Sequence, residues 1–447
     1  MRSVPAGYDR VFGAERSTCN YLRGARWFIG DQAAYGLSAD TVSFRQIRRK
    51  FVKAVQFGAG NIGRGFTAQL FTESGYEVVF VEVVTEVVDL LNARRSYPIR
   101  FACEDPWQIT ISNVRAVNGR DIEAVSDELA TAELACTAVG VNVLPAVAPA
   151  IARGVEKRAK LGAGPLNIII CENLSHAEEF LQAEVSKHLP PELKPYLLSN
   201  VGFVESVVAR MVPVMTETEK AEDPLLIVVE PYKHLPVDSN GFIGPIPEIV
   251  GVEPRGNFQG YVDRKLFAHN CSHAIAAYLG YQRGYTYIYE AVKDPDIHCV
   301  MMAALDETGR ALVAKHSMSA EEHQAYVTDL TARFENSALR DQVARVARDP
   351  LRKLGPEDRL VGGAKFALEQ GIEPINVSIG IAAGLLYDAP DDPSVPEVQR
   401  KIRELGLEGA MKEICGIEPG SRLSELVLSQ LGTVEDLFRR NGRRGQT

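Results

Sequence analysis

The stretch VQFGAGNIGRGF, residues 55–66, restricts the possible folds more than any other part of this chain. A short apolar strand candidate, KAVQF, runs into Gly58, Gly60 and Gly63 in the spacing G-x-G-x-x-G, and the residues that follow take up helical spacing until Gly75. The next run, YEVVFVEV, is apolar and β-branched throughout, as a strand buried on both faces requires, and it carries Glu82 near its end. Strand, glycine turn, helix, strand and then an acid about 20 residues beyond the glycines is the dinucleotide-binding arrangement. Gly58 permits the tight turn, Gly60 admits a pyrophosphate close to the backbone, and Gly63 lets helix and strand approach. Asn61 and Ile62 complete the loop, and the helix N-terminus offers unpaired N–H groups to phosphate. Glu82 would accept hydrogen bonds from an adenosine ribose and repel a 2′-phosphate, so the expected cofactor is NAD. Arg64 reads equally as a phosphate contact or as a solvated side chain.

Further runs, LACTAVG, LNIIICEN and LLIVVEPY, read as strands with helical stretches between several of them. That alternation predicts an α/β Rossmann-type domain with a mainly parallel sheet over residues 51–245. After about Val250 helical periodicities follow one another, at 261–281, 293–315, 319–334, 356–370 and 394–415, without a comparable strand. Residues 246–447 are therefore expected to form a mainly helical substrate and catalytic domain. A chain of 447 residues is long enough for two cores. The first 50 residues are rich in Arg, lack periodic apolar pattern and contain acids that a transit peptide would usually avoid, so they read as a poorly ordered extension.

The segment RKLFAHNCSHAIAAYLG, residues 264–280, sets Lys265, Asn270 and His273 among apolar neighbours. On a regular helix, at about 100° per residue, the three fall within an arc of roughly 140° and face one small volume. A lysine among apolar groups loses hydration of its charged form, which lowers its pKa from about 10.4 towards neutrality and makes it a base at ordinary pH. Asn270 has an amide N–H to offer an oxygen that gains negative charge, and His273 can hold a substrate hydroxyl or the reacting oxygen.

These residues carry a resemblance. KAVQFGAGNIGRGF, TAVG, NIIICENL, YVDRKLFAHNCSHAIAAYLG, RFEN and DPLRKL resemble the polyol-specific long-chain dehydrogenases, whose signature K-x-x-x-x-N-x-x-H fits Lys265, Asn270 and His273. The likeness runs from about Lys53 to residue 430. It implies that Lys265 is the general base, that Asn270 and Asn173 together form an oxyanion hole, and that His273 positions the substrate. By local match it implies substrate contacts at Arg345 and Lys353. Arg333 and Arg352 are added as candidates for gripping a phosphate on charge alone. The implied activity is NAD-dependent, metal-independent interconversion of D-mannitol 1-phosphate and D-fructose 6-phosphate, with a sister polyol dehydrogenase or hexuronate reductase as the alternative. A non-catalytic NAD-binding sensor is the reading from another class, and only Ala209 points to it. There VARMVP replaces the family's usual aspartate with alanine. Glu82 stands where an aspartate is commoner.

The formal charge of −9 provides no field for nucleic acid, and no apolar run approaches the roughly 20 residues that span a bilayer. Seven dispersed cysteines fit reduced thiols in a cytoplasmic protein. His269 and His273 are four apart on a helix, as zinc ligands can be, yet no acid lies between them and Lys265 would repel a cation, so no metal is expected. The expected partner is a small sugar phosphate, and no coiled-coil seam suggests more than a monomer.

Overall fold

The computed structural model describes residues 52–438, and the extension expected over residues 1–50 lies outside them. In chain order the first eight strands are β1 (Val52–Phe57), β2 (Tyr76–Glu82), β3 (Ser96–Phe101), β4 (Trp107–Ser112), β5 (Val114–Asn118), β6 (Leu134–Thr137), β7 (Leu166–Ile170) and β8 (Val201–Glu205). Three short ones follow: β9 (Ile227–Val229), β10 (Leu235–Asp238) and β11 (Val252–Arg255). Six of them form one parallel sheet in the order β5-β2-β1-β6-β7-β8. The order reverses between β1 and β6, and ligands of open parallel sheets bind beyond the strand ends at such a reversal. Alternate residues of β1 point to opposite apolar layers, Ala54 towards Phe66, Leu70 and Phe80, and Val55 towards Leu129, Ile151 and Ile168.

Two expectations about strands need correction. LLIVVEPY contributes β9, which does not join the large sheet; it pairs with β3 in a three-stranded sheet that also contains β4. A buried apolar run has the same appearance in either sheet, so the sequence could not separate them. A strand also occurs after Val250, since β11 pairs in parallel with β10.

The remaining chain is helical and has its own core, built around the helix Cys271–Arg283. Ala274, Ile275, Ala276, Ala277, Tyr278 and Leu279 are all fully buried there. Helix after helix surrounds it: Pro295–His316, Ala320–Phe334, Val361–Glu369, Ile375–Leu385 and Val395–Cys415. No helix among the described residues is long and apolar enough to cross a membrane.

A buried ion pair connects the two parts. Glu230, just past β9, is 1% exposed and accepts Arg333 Nε at 2.8 Å and Nη2 at 2.6 Å. Arg333 lies near the end of the helix Ala320–Phe334 and also donates to the Ala209 carbonyl at 2.6 Å. Tyr232 stacks against the guanidinium at 3.9 Å, and the Met211 N–H donates to the same carboxylate. Removing one partner leaves a charge in a site without water. Arg333→Ala should therefore lower unfolding free energy by about 3–5 kcal/mol, read from the midpoint of urea denaturation.

Candidate active site

The helix that carries the K-x-x-x-x-N-x-x-H pattern is not regular. It runs as α-helix over Phe258–Asp263, as π-helix over Arg264–Asn270, and as α-helix again over Cys271–Arg283. The Cys271 N–H reaches the Leu266 carbonyl, five residues back, which is the π-type bond. The arc of roughly 140° expected for a regular helix is therefore corrected. With i→i+5 closure one turn takes about 4.4 residues, so Lys265 and Asn270 lie within roughly 50° of one another instead of 140°.

Two cavities meet at this turn, of about 620 Å³ and 390 Å³, and Lys265, Asn270, Arg352 and Arg359 line both. The larger one takes in Asn173, from the loop after β7, together with Glu172, Glu205 and His176. The smaller one takes in His273, His269, Ala209, Arg345, Arg348 and Lys353. The structure thus brings Lys265, Asn270, His273, Asn173, Arg345, Arg352 and Lys353 to one connected space.

Lys265 borders both cavities, yet its ammonium is ringed by protein. Burial lowers its pKa to about 8, and the Arg359 charge acts in the same direction. Among the described residues no carboxylate pairs with it, and neither the Asn270 nor the Asn173 carboxamide has a hydrogen-bond partner, so both keep their N–H donors available. His273 Nε2 lies 3.0 Å from Asp341 Oδ2, an ion-pair distance at which neither atom completes a hydrogen bond. The imidazole stacks on Phe334 at 4.6 Å. Burial holds its pKa below the usual value against the opposing pull of Asp341, which favours the neutral ring at pH 7. Arg345 holds Asp341 in turn, through Nε at 2.8 Å and Nη2 at 2.6 Å.

The charges of the smaller cavity are unevenly matched. Arg345 pairs with Asp341, Arg352 with Asp349 and Asp358, and Arg359 with Asp358. Lys353 Nζ donates only to carbonyls, those of Val346 at 2.6 Å and of Arg348, and burial brings its pKa down to about 7. The exposed Arg348 guanidinium has no ion-pair partner among the described residues. Arg333 is absent from both linings. Its guanidinium is committed to Glu230 and supports the 209–211 segment that walls the smaller cavity, so it does not face a substrate as its charge alone suggested.

Outside both cavity linings, the glycine turn joins β1 to its helix at the sheet reversal. Gly58 has φ +87°, and a Cβ there would overlap the Ala138 carbonyl; one on Gly63 would overlap the Gly58 carbonyl. A Cβ on Gly60 would meet nothing within 4 Å. Gly58 and Gly63 are therefore demanded by packing within the chain, whereas the space before Gly60 is open, as a pyrophosphate against Asn61, Ile62 and the helix start requires. Glu82 turns back to this loop, accepting the Ala59 N–H at 2.9 Å and the Val83 and Val84 N–H groups at 2.7 and 3.0 Å. A nicotinamide dinucleotide fits this donor and acceptor set. Arg64 is neither a phosphate contact nor solvated. It is buried and donates to the carbonyls of Ala59 and Leu225.

Sequence reasoning missed Arg348, Arg359, Asp341, Glu172 and Glu205. Arg348, within RVARDP, carried a detectable signal as one more cation beside Arg345; the others carry none in their local sequence. The ring centroids of His269 and His273 are 5.9 Å apart, and the positive charges of Arg333, Lys265 and Arg359 surround His269.

Residues 52–251 match the mannitol dehydrogenase Rossmann domain, and residues 257–409 match the mannitol dehydrogenase C-terminal domain. The chain belongs to the mannitol dehydrogenase family. It is an oxidoreductase acting on CH–OH groups, of the NAD-type polyol class. It is 41% identical over 379 residues to a mannitol-1-phosphate 5-dehydrogenase of Bacillus licheniformis, an alignment covering 85% of this chain and 99% of the relative. A Bacillus subtilis protein of the same name is 42% identical with the same coverage. Among solved structures, the Pseudomonas fluorescens mannitol 2-dehydrogenase ternary complex with NAD and D-mannitol matches with TM-score 0.66 at 18% identity, over 87% of this chain and 93% of that one. A substrate-free D-sorbitol dehydrogenase matches with TM-score 0.73 at 17% identity, over 86% and 94%. These two show a shared fold.

Arg359 disfavours the charged form of Lys265, so removing its charge raises the lysine pKa. In pH titrations by lysine-selective NMR, Lys265 should titrate near about 8 in the native chain, and distinctly higher in Arg359→Gln.

Proposed function

We propose that the chain interconverts D-mannitol 1-phosphate and D-fructose 6-phosphate with NAD and without a metal. The observation that carries the phosphate is the imbalance in the smaller cavity, where Arg348 and Lys353 face the space beyond Lys265 without a carboxylate of their own. A phosphate at the end of an open-chain hexitol matches the unpaired Arg348 guanidinium, whereas an uncharged polyol would leave it facing water. The names and identity levels of the Bacillus relatives support the same substrate pair.

The glycine turn and Glu82 would hold the dinucleotide, and the Glu82 carboxylate would disfavour a 2′-phosphate. Bound NAD supplies the hydride acceptor. The neutral amine of Lys265 takes the hydroxyl proton of the reacting carbon. Asn270 and Asn173 donate their amide hydrogens to the oxygen as it gains negative charge. Neutral His273, beside Asp341, accepts from a substrate hydroxyl through a ring nitrogen. Arg345 and Arg352 line the phosphate end, while Lys353 fixes the carbonyls of Val346 and Arg348 and so directs Arg348. Metal independence follows from this division of labour: amine and carboxamides already provide the base and the electrophile, and the surrounding positive charge opposes a divalent ion.

The direct test is NADH oxidation with fructose 6-phosphate, compared with free fructose and tagaturonate, and with NADPH in place of NADH. Turnover should require the phosphorylated ketose and NADH; turnover confined to fructose or tagaturonate would replace the substrate assignment. Lys265→Ala should lose about 10²–10⁴-fold in kcat while still binding NADH. Polyol oxidation by the native chain should rise with pH through about 8, as the amine loses its proton, and reduction should fall over the same range. Arg348→Ala should raise KM for fructose 6-phosphate about tenfold or more, with kcat little changed, the mark of a contact made equally in ground and transition states.

A further inference from the structure

Arg345 and His273 both line the smaller cavity, and a single carboxylate lies against the two of them. That carboxylate, of Asp341, does not line the cavity itself. It borders a third one, of about 270 Å³, which Met211, Val212 and Arg345 also line. Its two oxygens are divided between its neighbours. Oδ1 accepts Arg345 Nε at 2.8 Å and Nη2 at 2.6 Å, while Oδ2 lies 3.0 Å from His273 Nε2.

The backbone that carries this carboxylate is pinned. The Asp341 carbonyl accepts the Ile288 N–H at 2.8 Å, and the Val343 N–H donates to the Thr286 carbonyl at 2.9 Å. Gln342, between them, pairs with Tyr287. The Asp341 side chain is 11% exposed, whereas that of Arg345 is 49% exposed and without a partner would sample many rotamers. Held through Nε and Nη2, the guanidinium keeps Nη1, which makes no hydrogen bond among the described residues, for a ligand. His273 is restrained in two directions. Phe334 lies against its face with 16° between the rings, which sets the plane of the imidazole. Asp341 stands at one edge, which favours a ring nitrogen there over a C–H. Groups ordered before a substrate arrives lose less freedom when it binds.

We propose that Asp341 is a positioning residue that aligns Arg345 and His273 with one another, so that the two meet the substrate as one unit. This rests on the reading above, in which Arg345 lines the phosphate end and His273 meets a hydroxyl. Asp341 touches no substrate and acts only through these two side chains.

Two double-mutant cycles in the full-length chain test this, with NADH oxidation by fructose 6-phosphate as the readout. Asp341→Ala should raise KM about tenfold, as Arg345→Ala does, and the double variant should exceed Arg345→Ala by less than about twofold. Asp341→Ala should also lower kcat, and that share should disappear in the His273→Ala background. Asp341→Asn keeps the shape, loses the charge and should move KM and kcat in the same directions, which keeps the result readable if the alanine chain does not fold. A merely structural role would add its effect to both partners' losses. Additive effects in either cycle would therefore overturn the shared anchor, as would native KM and kcat in both Asp341 variants. Failure of the phosphate reading looks different, because the native chain would then turn over free fructose or tagaturonate instead. The same two cycles run on that ketose would still decide whether Asp341 couples the pair.

Discussion

The molecule is organised around one amine that has lost most of its water without gaining a counter-ion. An ammonium in that position is costly to keep charged, and the surrounding groups keep it so: apolar residues enclose its helix, and Arg359 adds a like charge instead of a carboxylate. A carboxylate beside Lys265 would stabilise the ammonium and weaken the base. The acids nearby are each engaged elsewhere: Asp341 with His273 and Arg345, Asp358 with Arg352 and Arg359, Glu172 with backbone N–H groups. The loss of the family's usual aspartate at Ala209 fits this pattern, because the segment it belongs to is held by Arg333 and Glu230 and brings no acid to the cavity.

The space around that amine is polarised. Unpaired positive charge lies on the side of Arg348, and carboxylates lie on the side of Glu172 and Glu205. Lys265 and Asn270 sit at the boundary. An elongated, singly tipped anion can therefore lie in only one direction, with its charged end away from the acids, and this orientation precedes any contact with the reacting carbon.

The glycine turn and the lysine helix were readable because each packs its requirement into a few consecutive residues with fixed spacing. Gly58 and Gly63 announce a backbone approach, and Lys265, Asn270 and His273 form a sparse polar pattern on an apolar helix. Arg359, Asp341 and Glu205 were not readable, since their places at the site arise only when a loop, a bridge and a strand end are folded against that helix. Arg333 and Arg64 failed in the opposite way. Charge in a sequence does not reveal whether the charge is already spent, and one is spent on Glu230 and the other on backbone carbonyls. The apolar run at β9 could not name its sheet, and seven residues are too few for periodicity to distinguish π from α geometry.

A π-turn amounts to one residue more than an α-helix would use over the same rise. The helix before it, Phe258–Asp263, and the helix after it, Cys271–Arg283, are both fixed by packing, so that surplus residue has nowhere to migrate. Loss of a single amino acid between Lys265 and Asn270 would restore a seamless helix in which the two stand four residues apart, about 40° from one another on the same face.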